Sequence, residues 1–455
     1  MTPRLVIAGT SSGAGKTSVT SGLIGALSRR GLRVQGFKVG PDYIDPSYHA
    51  LASGRPGRNL DAFLSGPELI APLVRHGAHG ADIAVVEGVM GLFDGASGGG
   101  ELASTAHVAK LLRAPVVLVV DASSMARSVA AIVHGYSTFD PDLGLAGVIF
   151  NRIGSDHHEQ LLREAVAPLG VPVLGALRRD AAVAARDRHL GLVPAGERER
   201  DTRAALAALT AAVERHVDVE GIVAVAGAAG PLDVPAWSPV PSDRMSSGAG
   251  ARIALARGHA FCFHYEENLE LLAAAGAELL EFDPLVDERL PRDAGALLLA
   301  GGFPEVFGAE LEANAALRAE VAEFAVAGQP ILAECGGLLF LCRELDGREM
   351  CGVLDAGARM SDRLTLGYRQ ATAASATPWL DAGERVRGHE FHYTELDTTG
   401  GPSAWVLSAR GHERREGMVS GSVQASYLHV HWAAHPELAR RFAAAARASA
   451  VAGSR

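Results

Sequence analysis

Short, almost wholly apolar runs alternate with amphipathic stretches through the N-terminal half of the chain. RLVIAG, RVQGFKV, DIAVVEG, PVVLVVDA, LAGVIFNR and VPVLGAL are bounded by polar or turn-forming residues, which predicts strands buried on both faces. TSVTSGLIGALSRR, with Gly31 just past its end, and HEQLLREAVAPL carry apolar residues at helical spacing. Strands and helices in alternation predict a parallel sheet with crossover helices. The rhythm then fails: GAAGPLDVPAWSPVPSDRMSSGAGA is rich in Pro, Gly and Ser with no period, the mark of a linker. It restarts with RIALAR, the helix ENLELLAAAG, the strands GAELLEF and ALLLAGG, the helix AALRAEVAEFAVAG and the strand PILAEC. The remainder is more β-rich and irregular and closes on the helix PELARRFAAAARASA. The predicted organisation is a parallel-sheet domain over 1–232, a linker over 233–250, a second α/β domain over 251–448 and a polar tail over 449–455.

Composition narrows the function. With 455 residues, 48% of them hydrophobic, the chain can fill a core in each domain, which excludes disorder. Four cysteines exclude a disulfide scaffold. No apolar run approaches the ~18 residues of a membrane span, and LVIA runs straight into GTSSGAGKT without a basic leader. A cytoplasmic protein with no membrane partner is expected. The net charge of −10 counts against nucleic acid as a partner, though an acidic small molecule needs only a local basic patch. Of 42 basic residues only Lys16, Lys38 and Lys110 are lysines. A lysine that survives such a bias toward arginine is a candidate for chemistry that a guanidinium cannot do. Lys110, on a predicted helix, reads as an ordinary surface residue.

GTSSGAGKT, residues 9 to 17, follows a predicted strand and opens a predicted helix, the context of a phosphate-binding P-loop. Backbone N–H groups around Gly13, Gly15 and Ser18 would cradle phosphates, Lys16 would reach the outer ones and the Thr17 hydroxyl would ligate Mg²⁺. ATP is the expected nucleotide. The loop departs from the strict pattern at Thr10, where a glycine belongs, and Ser11 stands where partitioning-type ATPases carry a further lysine. Lys38, Asp42 and Asp45 in FKVGPDYIDP, and Glu87 and Asp94 in VVEGVMGLFDG, fall at or just beyond strand ends on the same sheet edge, where ligands of parallel sheets bind. Asp45 and Glu87 are candidate Mg²⁺ ligands with Thr17, and Lys38, Asp42, Asp45 and Asp94 candidate substrate contacts. Asn151 is either an adenine contact or an ordinary strand-end residue.

ILAECGGLLFL reads as strand, sharp turn and helix with Cys335 at the turn, the geometry of a nucleophile elbow. Its position before a helix predicts a lowered thiol pKa. The Gly336 N–H and the turn at Gly301 and Gly302 would supply oxyanion donors. A histidine base is expected from ASYLHVHW, where His429 and His431 share one face and spacing alone cannot choose between them. Cys262, Cys342 and Cys351 read as buried structural thiols.

With these residues in place, the chain resembles the cobyrinate or hydrogenobyrinate a,c-diamide synthases of cobalamin biosynthesis over nearly its full length. The matching segments, in order, are GTSSGAGKTS, FKVGPDYIDP, GRNLDAF, VVEGVMGLFDG, RHLGLVP, AGGFPE, AECGGLLFL, LGYR, GHEFHYT and ASYLHVHW. The resemblance implies a P-loop ATPase domain of the dethiobiotin-synthetase type fused to a class I glutamine amidotransferase domain. It places the nucleophile on Cys335 and the activating histidine on His429. Where many such enzymes carry an orienting glutamate, this chain has His431, so the third member of the site stays open. Asp42, Tyr43, Asp45, Glu87 and Asp94 match the family's substrate- and metal-contacting group, and Phe303 replaces an expected tyrosine. The implied reaction amidates two carboxylates of a corrin-ring acid with ATP, Mg²⁺ and glutamine, which requires sheltered passage for ammonia. Arg55, Arg58, Arg363, Arg369 and Arg387 are candidate carboxylate partners, and GHEFH is read as structural or substrate-contacting rather than as a zinc site. A homodimer is one candidate assembly. Competing readings are a cobyric acid synthase, a nickel-sirohydrochlorin diamide synthase and, from another class, a P-loop regulatory switch with a degenerate amidotransferase domain.

Overall fold

The computed structural model describes residues 2–179, 199–239, 250–398 and 400–453; RHLGLVP lies outside them. The chain divides into two compact units, Met1–Trp237 and Ser238–Arg455.

In the first unit seven strands form one sheet: β1 (Arg4–Gly9), β2 (Val34–Val39), β3 (Arg58–Leu60), β4 (Ile83–Glu87), β5 (Val116–Asp121), β6 (Leu145–Ile153) and β7 (Val173–Arg178). Their order is β3-β2-β4-β1-β5-β6-β7 and every neighbouring pair is parallel. Such a sheet needs helices on both faces, which explains why β1, β2 and β4 are buried at every position. The strand order reverses at β1, so a crevice opens beyond its carboxyl end. The helix Lys16–Arg29 starts there and packs on Glu199–His216 through two glycines. A Cβ on Gly25 would lie 2.3 Å from Thr210 Oγ1, and one on Gly22 would lie 2.9 Å from Leu209 O. This close approach locks the helix that carries the P-loop, and a methyl group at either position would cost about 1–3 kcal/mol. The Pro-rich stretch through Trp237 lies on this unit: Trp237 N–H donates to Pro72 O and its ring meets His76 edge-on at 5.0 Å.

The second unit has two sheets. One contains β8 (Ala251–Ala256), β9 (Ala277–Phe282), β10 (Ala296–Leu299) and β11 (Ile331–Glu334), extended later in the chain by β18 (Met418–Ser420) and β19 (Val423–Ser426). Its order is β18-β19-β11-β10-β8-β9, parallel except for the β18–β19 edge. The other, which also holds β12 (Glu344–Leu345), β13 (Arg348–Glu349), β16 (Trp405–Ala409) and β17 (His412–Glu416), is built on a long antiparallel pair, β14 (Ala356–Ala373) and β15 (Arg385–Thr398), with a register irregularity between Met360 and Thr365. The short strand His429–Val430 pairs with β15, setting His429 opposite His389. The core between these layers includes Phe261 and Phe340, packed edge-on at 5.5 Å. The closing helix runs from Pro436 to Gly453, so most of the tail expected from 449 is helical. Among the described residues no helix is long and apolar enough to cross a membrane.

Candidate active sites

The P-loop grows directly out of β1. Gly13 and Gly15 have φ of 76° and 98°, the left-handed region that side chains disfavour. Gly15 is doubly constrained, since a Cβ there would lie 2.0 Å from Asn151 Nδ2. Asn151, at the end of β6, donates that amide to Ala14 O at 3.0 Å and so braces the loop from across the sheet. Tyr136 Oη does the same at the other end, donating to Thr10 O at 2.8 Å. Thr10 is not among the positive-φ residues, which explains why a glycine is dispensable there.

Lys16 folds back over Gly9 and donates to Ser11 O at 3.0 Å and Met90 O at 2.5 Å. Burial, reinforced by Lys38, lowers its pKa to about 8 against the pull of Glu87, Asp45 and Asp94. An incoming phosphate would raise it again.

Beside it lies a buried ionic cluster. Lys38 Nζ is 2.5 Å from Asp45 Oδ2 and 2.9 Å from Glu87 Oε1, and donates to Gly88 O at 3.0 Å. Thr17 Oγ1 donates to Glu87 Oε1 at 2.7 Å and lies 3.2 Å from Asp45 Oδ2. Burial opposes the charge on Lys38, yet the carboxylates of Asp45, Glu87 and Asp42 outweigh it and raise its pKa. Glu87 is fully buried, but Lys38 and His49 hold it ionised, its pKa lowered. Asp45 goes the other way: burial and the charge of Glu87 raise it, only partly offset by Lys38. Two carboxylates and a hydroxyl thus converge on one point. Among the described residues no three His, Cys, Asp or Glu side chains form a metal cage. This hard-oxygen set nonetheless fits Mg²⁺, which takes one or two carboxylates and completes its shell with phosphates and water.

The remaining N-terminal positions shape loops. Asp42 Oδ1 accepts the N–H groups of Ile44 and Asp45, fixing the entry to the helix Ile44–Ser53 that Tyr43 precedes. Asp94 Oδ2 accepts the Gly91 N–H at 3.0 Å. Ser18 lies buried in the first turn of the helix after the P-loop. Arg55 is engaged by Gln35 Oε1 and the carbonyls of Gly77 and His79, and Arg58 is buried in β3. Two contributors escaped sequence reasoning. His49 Nε2 meets Glu87 Oε2 at 2.7 Å, and Asn59 donates to Gly40 O and Asp42 O. The GRNLDAF segment contains Asn59, but nothing in spacing points to His49.

In the second unit Cys335 sits between β11 and the helix Gly336–Leu341 with φ 49° and ψ −102°, a strained elbow. Its N–H donates to Ser426 O at 2.7 Å, and the thiol points to Phe391 O at 3.9 Å. The Gly301–Gly302 turn fits against this elbow. A Cβ on Gly336 would lie 2.9 Å from Gly302 N, and one on Gly301 would lie 2.5 Å from His429 Cε1. The turn therefore bridges the residue after Cys335 to the imidazole of His429, which is 1% exposed and stacks on His389 at 4.8 Å. His431 is directed elsewhere, its Nε2 3.4 Å from Glu267 Oε2 and its ring 4.6 Å from Tyr265.

One expectation is overturned. The thiol pKa is raised, not lowered: burial leads, the Glu305 carboxylate adds to it, and the Gly336 N–H is too weak to compensate. The helix has only six residues and cannot offset that loss of hydration. Nearby acids respond to the same burial. Glu305 and Glu416 are each pushed up to about 7, although Glu416 accepts from Ser426 Oγ and Tyr427 N. In GHEFH, Glu390 is fully buried between Arg369 and Arg414, while His392 stacks on Tyr427 at 3.6 Å. Arg363 and Arg387 lie on β14 and β15.

Comparison with known proteins gives both units a family. A CobQ/CobB/MinD/ParA nucleotide binding domain matches residues 5–193, and a CobB/CobQ-like glutamine amidotransferase domain matches residues 252–437. The chain is 57% identical to a hydrogenobyrinate a,c-diamide synthase of Streptomyces coelicolor over 98% of each chain. It is 51% identical to one of Mycobacterium bovis over 97% of each chain. With a cobyrinate a,c-diamide synthase of Syntrophotalea carbinolica it shares 47% identity over 97% of this chain and 98% of the relative.

Proposed function

The chain belongs to the family of hydrogenobyrinate and cobyrinate a,c-diamide synthases, and from that premise we propose that it uses ATP and glutamine to convert the a- and c-carboxylates of a corrin-ring acid to amides. The observation that carries this reading is the pairing, in one chain, of a P-loop with a buried Lys16 and a cysteine elbow whose flanking Gly301–Gly302 turn lies against the His429 imidazole. Identity is higher with the relatives named for hydrogenobyrinate than with those named for cobyrinate, which favours the cobalt-free ring as substrate.

A carboxylate does not condense with ammonia in water, because oxide is a poor leaving group. The γ-phosphoryl of ATP passes first to the carboxylate, giving an acyl phosphate and ADP. Ammonia then displaces phosphate to give the amide. Two anions meet in the first step, so cations must screen them. Lys16, lying over the loop, neutralises charge on the outer phosphates. Thr17, Asp45 and Glu87 would hold Mg²⁺, which when bound would supply neutralisation of the charge on the nucleotide phosphates. Lys38 keeps those two carboxylates close together despite their repulsion. The backbone about Gly13, Gly15 and Ser18 cradles the phosphates, and Asn151 holds that backbone in shape. Asp42, Tyr43 and Asp94 set the loops that flank the ring acid.

In the second unit the Cys335 thiol gives its proton to His429 as its sulfur attacks the glutamine amide. The oxyanion is received by backbone N–H groups of Gly336 and the Gly301–Gly302 turn. The imidazolium protonates the departing ammonia, and water hydrolyses the glutamyl thioester to glutamate, regenerating the thiol. A raised thiol pKa suits this order of events, since the proton leaves only with a base in place.

The test compares nitrogen sources, with products from hydrogenobyrinate and cobyrinate read by mass spectrometry. Replacing Cys335 should abolish glutamine-supported diamide formation while ammonium still supports it; loss of both overturns the division of labour. Faster turnover of cobyrinate would overturn the preference for the cobalt-free ring.

A further inference from the structure

The acid that orients His429 is absent from the place the sequence pattern reserves for it. That place is His431, whose Nδ1 accepts the Ala433 N–H and whose Nε2 faces Glu267. An acid does reach His429, from a different strand. Glu334, the last residue of β11 and the immediate neighbour of Cys335, brings Oε2 to 3.6 Å from His429 Nδ1. The sheet makes this possible. Glu334 stands in register with Ser426 of the parallel neighbour β19, and the chain leaves β19 to deliver His429 three residues later. The ring's position is fixed on other sides as well, by Gly301 at Cε1 and His389 on its face.

We propose that Glu334 is the third member of the glutaminase site, a positioning residue whose carboxylate accepts the Nδ1–H of His429. This inference rests on the reading of Cys335 as nucleophile. Holding the proton on Nδ1 leaves Nε2 unprotonated to take the thiol proton, and the carboxylate then stabilises the imidazolium until its Nε2 proton passes to ammonia. At 3.6 Å the groups are at ion-pair distance; they close to a hydrogen bond as charge develops on the ring, a tightening usual between free and substrate-loaded sites. A single segment, Glu334-Cys335-Gly336, thereby supplies the orienting acid, the nucleophile and an oxyanion donor.

The experiment is steady-state glutaminase kinetics on the full chain with Glu334→Gln, Glu334→Ala and, for comparison, Glu267→Gln. Melting temperatures and ammonium-supported synthesis monitor folding. Both Glu334 variants should lower kcat by about 100-fold or more with KM for glutamine changed less than about threefold. Acetate added to Glu334→Ala should recover part of the rate, which a merely structural role would not allow. Glu267→Gln should stay within about threefold of wild type. Retention of kcat in both Glu334 variants, or transfer of the defect to Glu267→Gln, overturns the proposal. A parent protein without glutaminase activity would instead overturn the underlying reading. If Glu334→Ala melts early, the isosteric Gln variant decides alone.

Discussion

At the end of β2 a buried ammonium is kept charged by the carboxylates around it, whereas beyond β11 a buried thiol is kept neutral chiefly by its loss of hydration, with nearby carboxylates adding to the effect. Lys38 and Glu87 are each almost inaccessible, yet both stay ionised because each has a partner of opposite sign within 3 Å. Cys335 is also buried, and the nearby carboxylates of Glu305, Glu334 and Glu416 add to the burial in disfavouring its thiolate. The difference matches the chemistry proposed for each centre. A phosphoryl site must hold polyanions from the outset, and fixed cations do so without reorganisation. A thiol that attacks a neutral amide need ionise only when substrate is seated, and a resting thiolate would be open to oxidation.

The sharpest way to break this comparison is to remove one centre at a time. Cys335→Ala should reduce glutamine-supported synthesis by about 10⁴-fold or more and leave ammonium-supported synthesis within about threefold. Lys16→Ala should lower synthesis from both nitrogen sources by about 10²–10³-fold. A defect confined to glutamine would remove Lys16 from the synthetase centre. Gly15→Ala, which forces a Cβ against Asn151 at a positive φ, should raise the KM for ATP by about tenfold and leave glutaminase activity alone.

The smallest effect concerns stability. Glu416 has a folded pKa of about 7 against an ordinary value of 4.5, so the native state binds its proton more tightly than the unfolded chain. Stability from this group is complete below about pH 4.5 and lost as pH rises through about 7, an effect of about 3 kcal/mol. Denaturant melts of Glu416→Gln across that range should show a shallower decline than wild type; an unchanged slope would mean that Glu416 ionises normally.

Much of the first unit was legible because a doubly buried parallel sheet writes its strands as unbroken apolar runs. RLVIAG coincides with β1, and the P-loop chemistry is local, all within nine residues. The elbow at Cys335 was legible for the same reason, a strand running straight into a Gly-Gly helix start. What escaped was assembled from distant segments. His49 reaches Glu87 from the next helix, and Glu334 reaches His429 across ninety-five positions of chain. The β14–β15 pair carries too many polar residues on both faces for alternation to reveal it. The thiol's pKa also ran opposite to expectation, because proximity to a helix start is visible in a sequence and desolvation is not.

The scarcity of lysine gives the molecule an unplanned analytical property. Lys110 is tied to Glu101 and Asp140, and Lys38 stays protonated deep in its nest of acids. Lys16 alone of the three has a depressed pKa, about 8, so at mildly alkaline pH a large share of it is free amine. A small acylating reagent should therefore mark this side chain ahead of the other two, and protection by ATP would turn that mark into a direct gauge of nucleotide occupancy.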